Sequence, residues 1–339
     1  MGSERSPQIL FDAVLQAAQQ LDPSCTLVVI ATHSTVGDLK RLLAFSLLAF
    51  PHNATIEFYP VNDTIAMADE PLLAVRQKRE SSLVVGIRLL KKHRLDAFVS
   101  MGNTGALIAS AALNLPKLPG VQRPALLAVL PTVTGSVAVL DVGGSVACKS
   151  FHLVQFAQMG AAYQRCSEGI EAPTVGLLNI GLEPQKGTSA VRQAYQALKD
   201  HCQNQEHAAL KFLGNVEGRD VFQGKVDVLV TDGFTGNVLL KTTEGVSSFI
   251  FEYIQEALQN TSQGPLHQAF QELKRYFSYS EYPGAIVCGV EGVVIKCHGN
   301  SSAQAALNGI KGAVNLVNKQ LIPKLKAQLA ASGQERQGQ

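Results

Sequence analysis

Short apolar runs alternate with stretches of helical spacing along almost the whole chain. Runs rich in Val, Ile, Leu and Ala predict strands at Thr26–Ile30, Thr55–Tyr59, Ala97–Ser100, Leu126–Leu130 and Val137–Val142. Further runs predict strands at Val175–Ile180, Lys211–Leu213, Val226–Val230, Ile286–Cys288 and Val293–Lys296. Between them apolar residues recur at helical spacing, as in Ser150–Arg165 and Val191–Asp200. The strand runs are nearly continuous rather than alternating, which suits a parallel sheet covered on both faces. The pattern predicts an α/β fold, a three-layer α/β/α sandwich around a mostly parallel sheet. No linker or repeat interrupts it. Residues 1–326 read as a single α/β domain, or as two intimately packed lobes, and residues 327–339 as a flexible tail.

Polar and glycine-rich clusters follow five of these strands: Met101–Gly105, Gly143–Ser145, Gly181–Gly187, Thr231–Asn237 and Cys297–Ser302. In open α/β sheets ligands bind beyond the carboxyl ends of strands, so five such loops on one edge would form a composite cleft. Two segments stand out, Gly214-Asn215-Val216-Glu217-Gly218-Arg219-Asp220 and Thr231-Asp232-Gly233-Phe234-Thr235-Gly236-Asn237. A strand that ends in Asp-Gly and turns through Gly-Asn into a helix leaves backbone N–H groups for a phosphate-like anion.

Composition narrows the picture. The chain has 339 residues, 46% of them hydrophobic, enough for a large core. A formal charge of +2 gives no global field for nucleic acid. The six cysteines are scattered without C-x-x-C or zinc spacing, which fits reduced thiols in a cytosolic protein. The start of the chain lacks the apolar stretch of a signal peptide, and no apolar run reaches the roughly 20 residues of a spanning helix. The dinucleotide fingerprint, Walker A and H-E-x-x-H are absent, and Gly143-Gly144-Ser145-Val146-Ala147 is one residue short of a nucleophile elbow. No cofactor or metal is expected.

Taken together, the loops resemble the phosphate acyltransferases of bacterial phospholipid synthesis, the PlsX type. The likeness rests on Ile65-Ala66-Met67-Ala68-Asp69-Glu70-Pro71 with Arg76 and Lys78, and on Ser100-Met101-Gly102-Asn103-Thr104-Gly105. It continues through Arg123-Pro124-Ala125, Leu140-Asp141-Val142-Gly143 with Lys149, Gly176–Gly181, the two glycine-rich segments and Val294–Gly299. The resemblance implies a homodimer with a fold similar to isocitrate and isopropylmalate dehydrogenases. It also implies transfer of an acyl group from acyl carrier protein to inorganic phosphate, at the inner face of the cell membrane, in the cytoplasm. The acyl phosphate would pass to a glycerol-3-phosphate acyltransferase. Such proteins usually open with a strand leading into Asp-Ala-Met-Gly-Gly-Asp. Here Met1–Pro7 matches the middle of that loop, so the first strand is expected to be missing.

Phosphate is already a nucleophile near neutral pH, so the chemistry needs positioning, charge compensation and an oxyanion site rather than a protein nucleophile. Lys186 would meet phosphate or the oxyanion, and the resemblance makes it catalytic; a solvated loop lysine is the plain alternative. Asn237, also catalytic by resemblance, would donate its amide, or serve as an ordinary helix cap. Asn103, Thr104, Gly105 and Gly236 would contact substrate at helix starts. Lys149 and Arg219 would add positive charge, or sit in ion pairs with Asp141 or Asp220. Glu217 would orient Arg219. His298 would protonate the leaving thiolate, or hydrogen-bond within the core.

Ser247–Ser280 is the most amphipathic stretch, and within it Pro265–Phe277 is a candidate membrane-docking helix, with a dimer interface or a core helix as the plain alternative. Because acyl carrier proteins are acidic, Arg76, Lys78 and Arg79 are candidate partners for one. Two other functions compete. A nicotinamide-dependent dehydrogenase of the isocitrate type shares the fold class. A non-catalytic acyl-carrier-binding membrane scaffold would not need Lys186 and Asn237 in glycine-rich loops.

Overall fold

The computed structural model describes residues 2–49, 52–203, 209–258, 264, 268–270, 272–273 and 284–334. All ten expected strands are present, and the chain is α/β with a mostly parallel sheet. It divides into two compact units, residues 1–118 with 282–323, and residues 119–281 with 324–339.

The first unit starts with α1 (Pro7–Gln20), capped by the Ser6 hydroxyl accepting from the Ile9 N–H and led by a proline whose fixed φ suits a first helical position. β1 (Thr26–Thr32), α2 (His33–Ala49) and β2 (Thr55–Val61) follow, then α3 (Pro71–Gln77), α4 (Ser82–Lys91), β3 (Ala97–Ser100) and α5 (Thr104–Asn114). β1 and β2 form a separate parallel pair, Thr26 opposite Thr55 through Thr32 opposite Val61. Beyond residue 282 the unit adds β9 (Ala285–Cys288), β10 (Val293–Lys296) and α9 (Ala303–Asn318). β3 runs parallel to β10, and β10 antiparallel to β9.

Helices lie on both faces of β1. Leu27 packs with Leu10, Ala13 and Ala17 of α1 and with Ala306 and Leu307 of α9. Val28 and Ile30, on the opposite face by strand alternation, join Val85 of α4 and Phe98 of β3. β1 therefore shares one hydrophobic cluster with Phe98 of β3 and another with Met101, the residue that follows β3, yet among the described residues no ladder joins the two strands. β10 is buried at every position, whereas Ala97, Phe98 and Val99 of β3 are half-buried. That difference fits a strand with a partner on one side only.

The second unit contains β4 (Ala125–Thr132), β5 (Gly135–Leu140), α6 (Ser150–Glu168), β6 (Thr174–Asn179), α7 (Ser189–Gln203), β7 (Lys211–Glu217), a short 3₁₀ turn (Gly218–Gln223), β8 (Val228–Val230), α8 (Gly233–Leu258) and, from Lys324 onward, α10 (Leu321–Gln334). Its strand order is β4-β5-β8-β6-β7. β4 and β5 form an antiparallel hairpin, while β5, β8, β6 and β7 are mutually parallel. Parallel neighbours end at the same edge, so the segments after β5, β6, β7 and β8 emerge together. The strands are as apolar as the sequence predicts, with Leu140, Val175, Val228 and Val230 fully buried.

Two local expectations change. Gly214–Glu217 is not a loop; it is the second half of β7, and Asn215 within it is buried. Gly236 and Asn237 are not a turn before a helix; they lie in the first turn of α8, which already starts at Gly233. The last helix also runs past Lys326 to Gln334. Of the expected docking helix Pro265–Phe277, most residues lie outside those described.

Candidate active site

The candidate residues fall on both units, and each set is held by its own contacts. In the first unit, Asn103 caps α5: its Oδ1 accepts from the Ala106 N–H at 3.0 Å. Its Nδ2 donates to the carbonyls of Met67 at 3.0 Å, Asp69 at 3.1 Å and Ala66 at 3.4 Å. The buried carboxamide is thus committed to the loop that precedes α3. The same loop is closed by Lys78, whose ammonium meets Asp69 at 2.6 Å and the Thr64 carbonyl at 3.1 Å. That bond holds the Asp69 carboxyl below its ordinary range and raises the Lys78 ammonium.

Thr104 and Gly105 open α5, half-buried. A Cβ on Gly105 would stand 2.6 Å from Pro71 Cγ, so glycine lets α5 approach the start of α3. His298, exposed after β10, accepts the Asn300 N–H on Nδ1 at 3.1 Å, which leaves the ring proton of the neutral form on Nε2.

In the second unit, the glycine-rich turn after β5 contains an acceptor of its own. Asp141 is fully buried, and its Oδ1 accepts from Leu126 at 2.9 Å, Gly143 at 3.1 Å and Gly144 at 2.8 Å. The main-chain donors that the pattern offers to a phosphate are therefore taken by a side chain of the same turn. Among the described residues no donor makes a hydrogen bond to its Oδ2. Burial raises the Asp141 carboxyl, against the main-chain donors that lower it.

The start of α8 is engaged in the same way. Gly233 N–H donates to the Ser145 carbonyl at 2.8 Å, and Thr235 N–H to Asp232 Oδ1 at 2.9 Å. Asp232, not Asn237, is the side chain that caps the helix. Gly236 faces the Asp141 carbonyl with no room for a Cβ, so its role is to seat α8 on that strand end. Asn237 is exposed, and its Oδ1 lies 3.6 Å from where a Cβ on Gly143 would stand.

Lys186 is exposed on the segment after β6. That segment is anchored by two asparagines. Asn179 Nδ2 donates to the Lys186 carbonyl at 3.1 Å, and Asn215 Nδ2 to the Glu183 carbonyl at 2.8 Å. Arg192 adds a bond to the Gly187 carbonyl at 2.5 Å. Among the described residues no carboxylate pairs with the Lys186 ammonium. Lys149, at the start of α6, is also exposed and unpaired on the same basis.

Arg219 pairs with Glu217 at 2.7 Å and is 78% exposed, as the sequence suggests for an arginine oriented by that acid. Asp220 instead holds Lys225. Asp141 and Asn215 are the groups whose roles the sequence reading misses. A buried Asp beside Gly-Gly after an apolar strand is the available signal for the first. Nothing local marks the second, because its partner is 32 residues away.

A model of a family described as "Fatty acid synthesis protein" matches residues 1–324. The chain belongs to this family. A relative named "Phosphate acyltransferase" from Chlamydia caviae is 37% identical, with 97% of each chain covered. One of the same name from Nostoc punctiforme is 39% identical over 97% of this chain and 94% of its own. Among solved structures, the EutD phosphotransacetylase of Staphylococcus aureus has a TM-score of 0.58 at 16% identity, with 92% of each chain covered. A phosphotransacetylase of Streptococcus pyogenes has a TM-score of 0.54 at 14% identity, over 94% of this chain and all of its own. At these identities the structures share the fold.

Proposed function

We infer that the chain is a phosphate acyltransferase: it moves a fatty acyl group from acyl carrier protein to inorganic phosphate, giving an acyl phosphate for phospholipid synthesis and free carrier. The family, the relatives' shared name and the coverage of nearly the whole chain support this reading.

A phosphate oxygen attacks the thioester carbonyl carbon, the carbonyl oxygen takes up negative charge, the C–S bond breaks, and the thiolate gains a proton. Lys186 offsets the charge of phosphate and of the oxyanion. Asn237 donates its carboxamide to the oxyanion. Lys149 and Arg219 add positive charge at the same edge of the second unit. Thr104 and Gly105 offer the first main-chain N–H groups of α5 to the substrate, and Asn103 holds them in place. Gly236 positions Asn237, and His298 supplies the proton to the thiolate from Nε2. The observation that carries the site is Lys186: an exposed ammonium without an acidic partner among the described residues, on a segment held by Asn179, Arg192 and Asn215.

The reading extends to a homodimer of isocitrate-dehydrogenase-like subunits, each a single catalytic domain through Lys326. It also extends to peripheral contact with the inner face of the cell membrane and to delivery of the product to a glycerol-3-phosphate acyltransferase. Support for a covered surface comes from α8, where Val246, Phe249, Ile250 and Tyr253 are exposed along one helix. Among the described residues no helix is long and apolar enough to cross a membrane.

The test is release of free carrier from acyl-carrier thioester. Release should require phosphate and yield a product that hydroxylamine traps as a hydroxamate. Phosphate-independent release, or none, refutes the reading.

A further inference from the structure

The loop and helix joined to Asn103 present a surface that the transfer chemistry leaves unused. Met67 is 37% exposed, Leu72 41% and Leu73 52%. Arg76 and Arg79 are exposed on the following turn. Leu72 and Leu73 precede Arg76 by four and three residues, so they share a helix face with it. Arg79 Nε donates to the Arg76 main-chain carbonyl at 3.2 Å, which ties the Arg79 guanidinium to the last turn of the helix that carries Arg76.

The neighbouring acids are engaged elsewhere. Asp69 holds Lys78 at 2.6 Å, and Glu80 holds Arg88 at 2.8 Å. The Glu70 carboxylate accepts the Leu73 N–H at 2.6 Å and the Leu72 N–H at 3.4 Å. Among the described residues no carboxylate pairs with Arg76 or Arg79. Lys78, a third candidate by sequence, is committed to its own loop.

We propose that the face formed by Leu72, Leu73, Arg76 and Arg79 is the docking site for an acidic, helical carrier domain that brings the acyl thioester; this rests on the acyl-transfer reading. Two arginines free of acids can each take a carboxylate through paired N–H donors, and exposed leucines beside them supply an apolar centre. The face adjoins the start of α5, because Asn103 holds Met67 and Asp69, and Pro71 lies against Gly105. An anionic bilayer fits less well, since electrostatic membrane binding uses clusters of about four to eight basic residues. A symmetric contact with a second copy would set two positive patches against each other.

The experiment uses the full chain carrying Arg76→Glu with Arg79→Glu. Two substrates are compared: an acyl group on acyl carrier protein, and the same acyl group on pantetheine. KM for the carrier thioester should rise about tenfold at low salt, with the difference shrinking as salt increases. KM for phosphate and turnover of the pantetheine thioester should stay at wild-type values, and Arg76→Lys with Arg79→Lys should keep most carrier affinity. An unchanged KM for the carrier thioester overturns the proposal. So does an equal loss on both thioesters, or an effect confined to vesicle binding or subunit association. Titration of wild type and variant with carrier lacking an acyl group reads the face even if no transfer occurs, so failure of the docking site and failure of the reaction are distinguishable.

Discussion

Two asparagines near helix starts, Asn103 in the first unit and Asn237 in the second, follow strand ends of similar sequence and are used in opposite ways. Asn103 is buried, and both ends of its carboxamide are bonded to protein. Asn237 is exposed, and Asp232 has taken the capping role beside it. The same residue type is structural where its donors and acceptor are all matched, and available for chemistry where a neighbour has relieved it of that duty. Gly105 and Gly236 teach a related lesson: each is small because another segment passes close by.

The largest expected effect tests the available side of this contrast. Lys186→Ala should lower kcat by about a hundred- to a thousandfold, and Asn237→Ala by about a hundredfold, the scale for loss of one donor to a developing oxyanion. Thermal midpoints should stay within a degree or two of wild type, since both side chains are exposed. Near-wild-type turnover in either variant removes that residue from the proposed mechanism.

Asn103→Ala should do the reverse. Loss of the cap and of bonds to two or three carbonyls should cost about 2–4 kcal/mol, read by denaturant titration. Activity per folded molecule should fall far less than in Lys186→Ala. A stable but inactive variant would place Asn103 among the residues that touch substrate.

Asp141→Ala should cost about 3 kcal/mol or more, because it orphans three main-chain N–H groups. Asp141→Asn keeps an acceptor at Oδ1 and should be milder. The carboxyl is raised by burial, so the folded state holds its proton more tightly than the unfolded chain. Its stabilising contribution is present at low pH and is lost as pH rises from the ordinary 3.8 through the raised value. Wild-type stability relative to Asp141→Asn should therefore fall as pH increases across that window. Parallel stability curves would show that the titration is not linked to folding.

The smallest effect concerns the second anchor of the Lys186 segment. Asn215→Ala should reduce kcat several-fold without abolishing it, by loosening the Glu183 carbonyl. Hydrogen exchange at Gly187 and Thr188 should rise in parallel. Unchanged exchange would mean that Asn179 and Arg192 suffice.

Much of the architecture was legible because strand-forming runs are a local property: Thr26, Ala97, Val175 and Val293 begin apolar stretches that any packed sheet would bury. Mixed strand direction was less legible, since the antiparallel pairing of β4 with β5 and of β9 with β10 depends on partners rather than on composition. At the candidate site, the Glu217–Arg219 pair could be read from chain position, whereas the choice of Lys186 rested on the family resemblance.

The amino-acid order alone determined where the strands and polar loops fall and, through their combination, the family. Only the tertiary structure decided which donors remain for a substrate. Glycine-rich turns advertise main-chain N–H groups, but folding filled those of Gly143, Gly144 and Gly233 with Asp141 and the Ser145 carbonyl. It also turned Gly214–Glu217 into a strand whose Asn215 supports the distant Lys186 segment. A hydrogen-bond donor is used once in space, and no local pattern records which acceptor reaches it first.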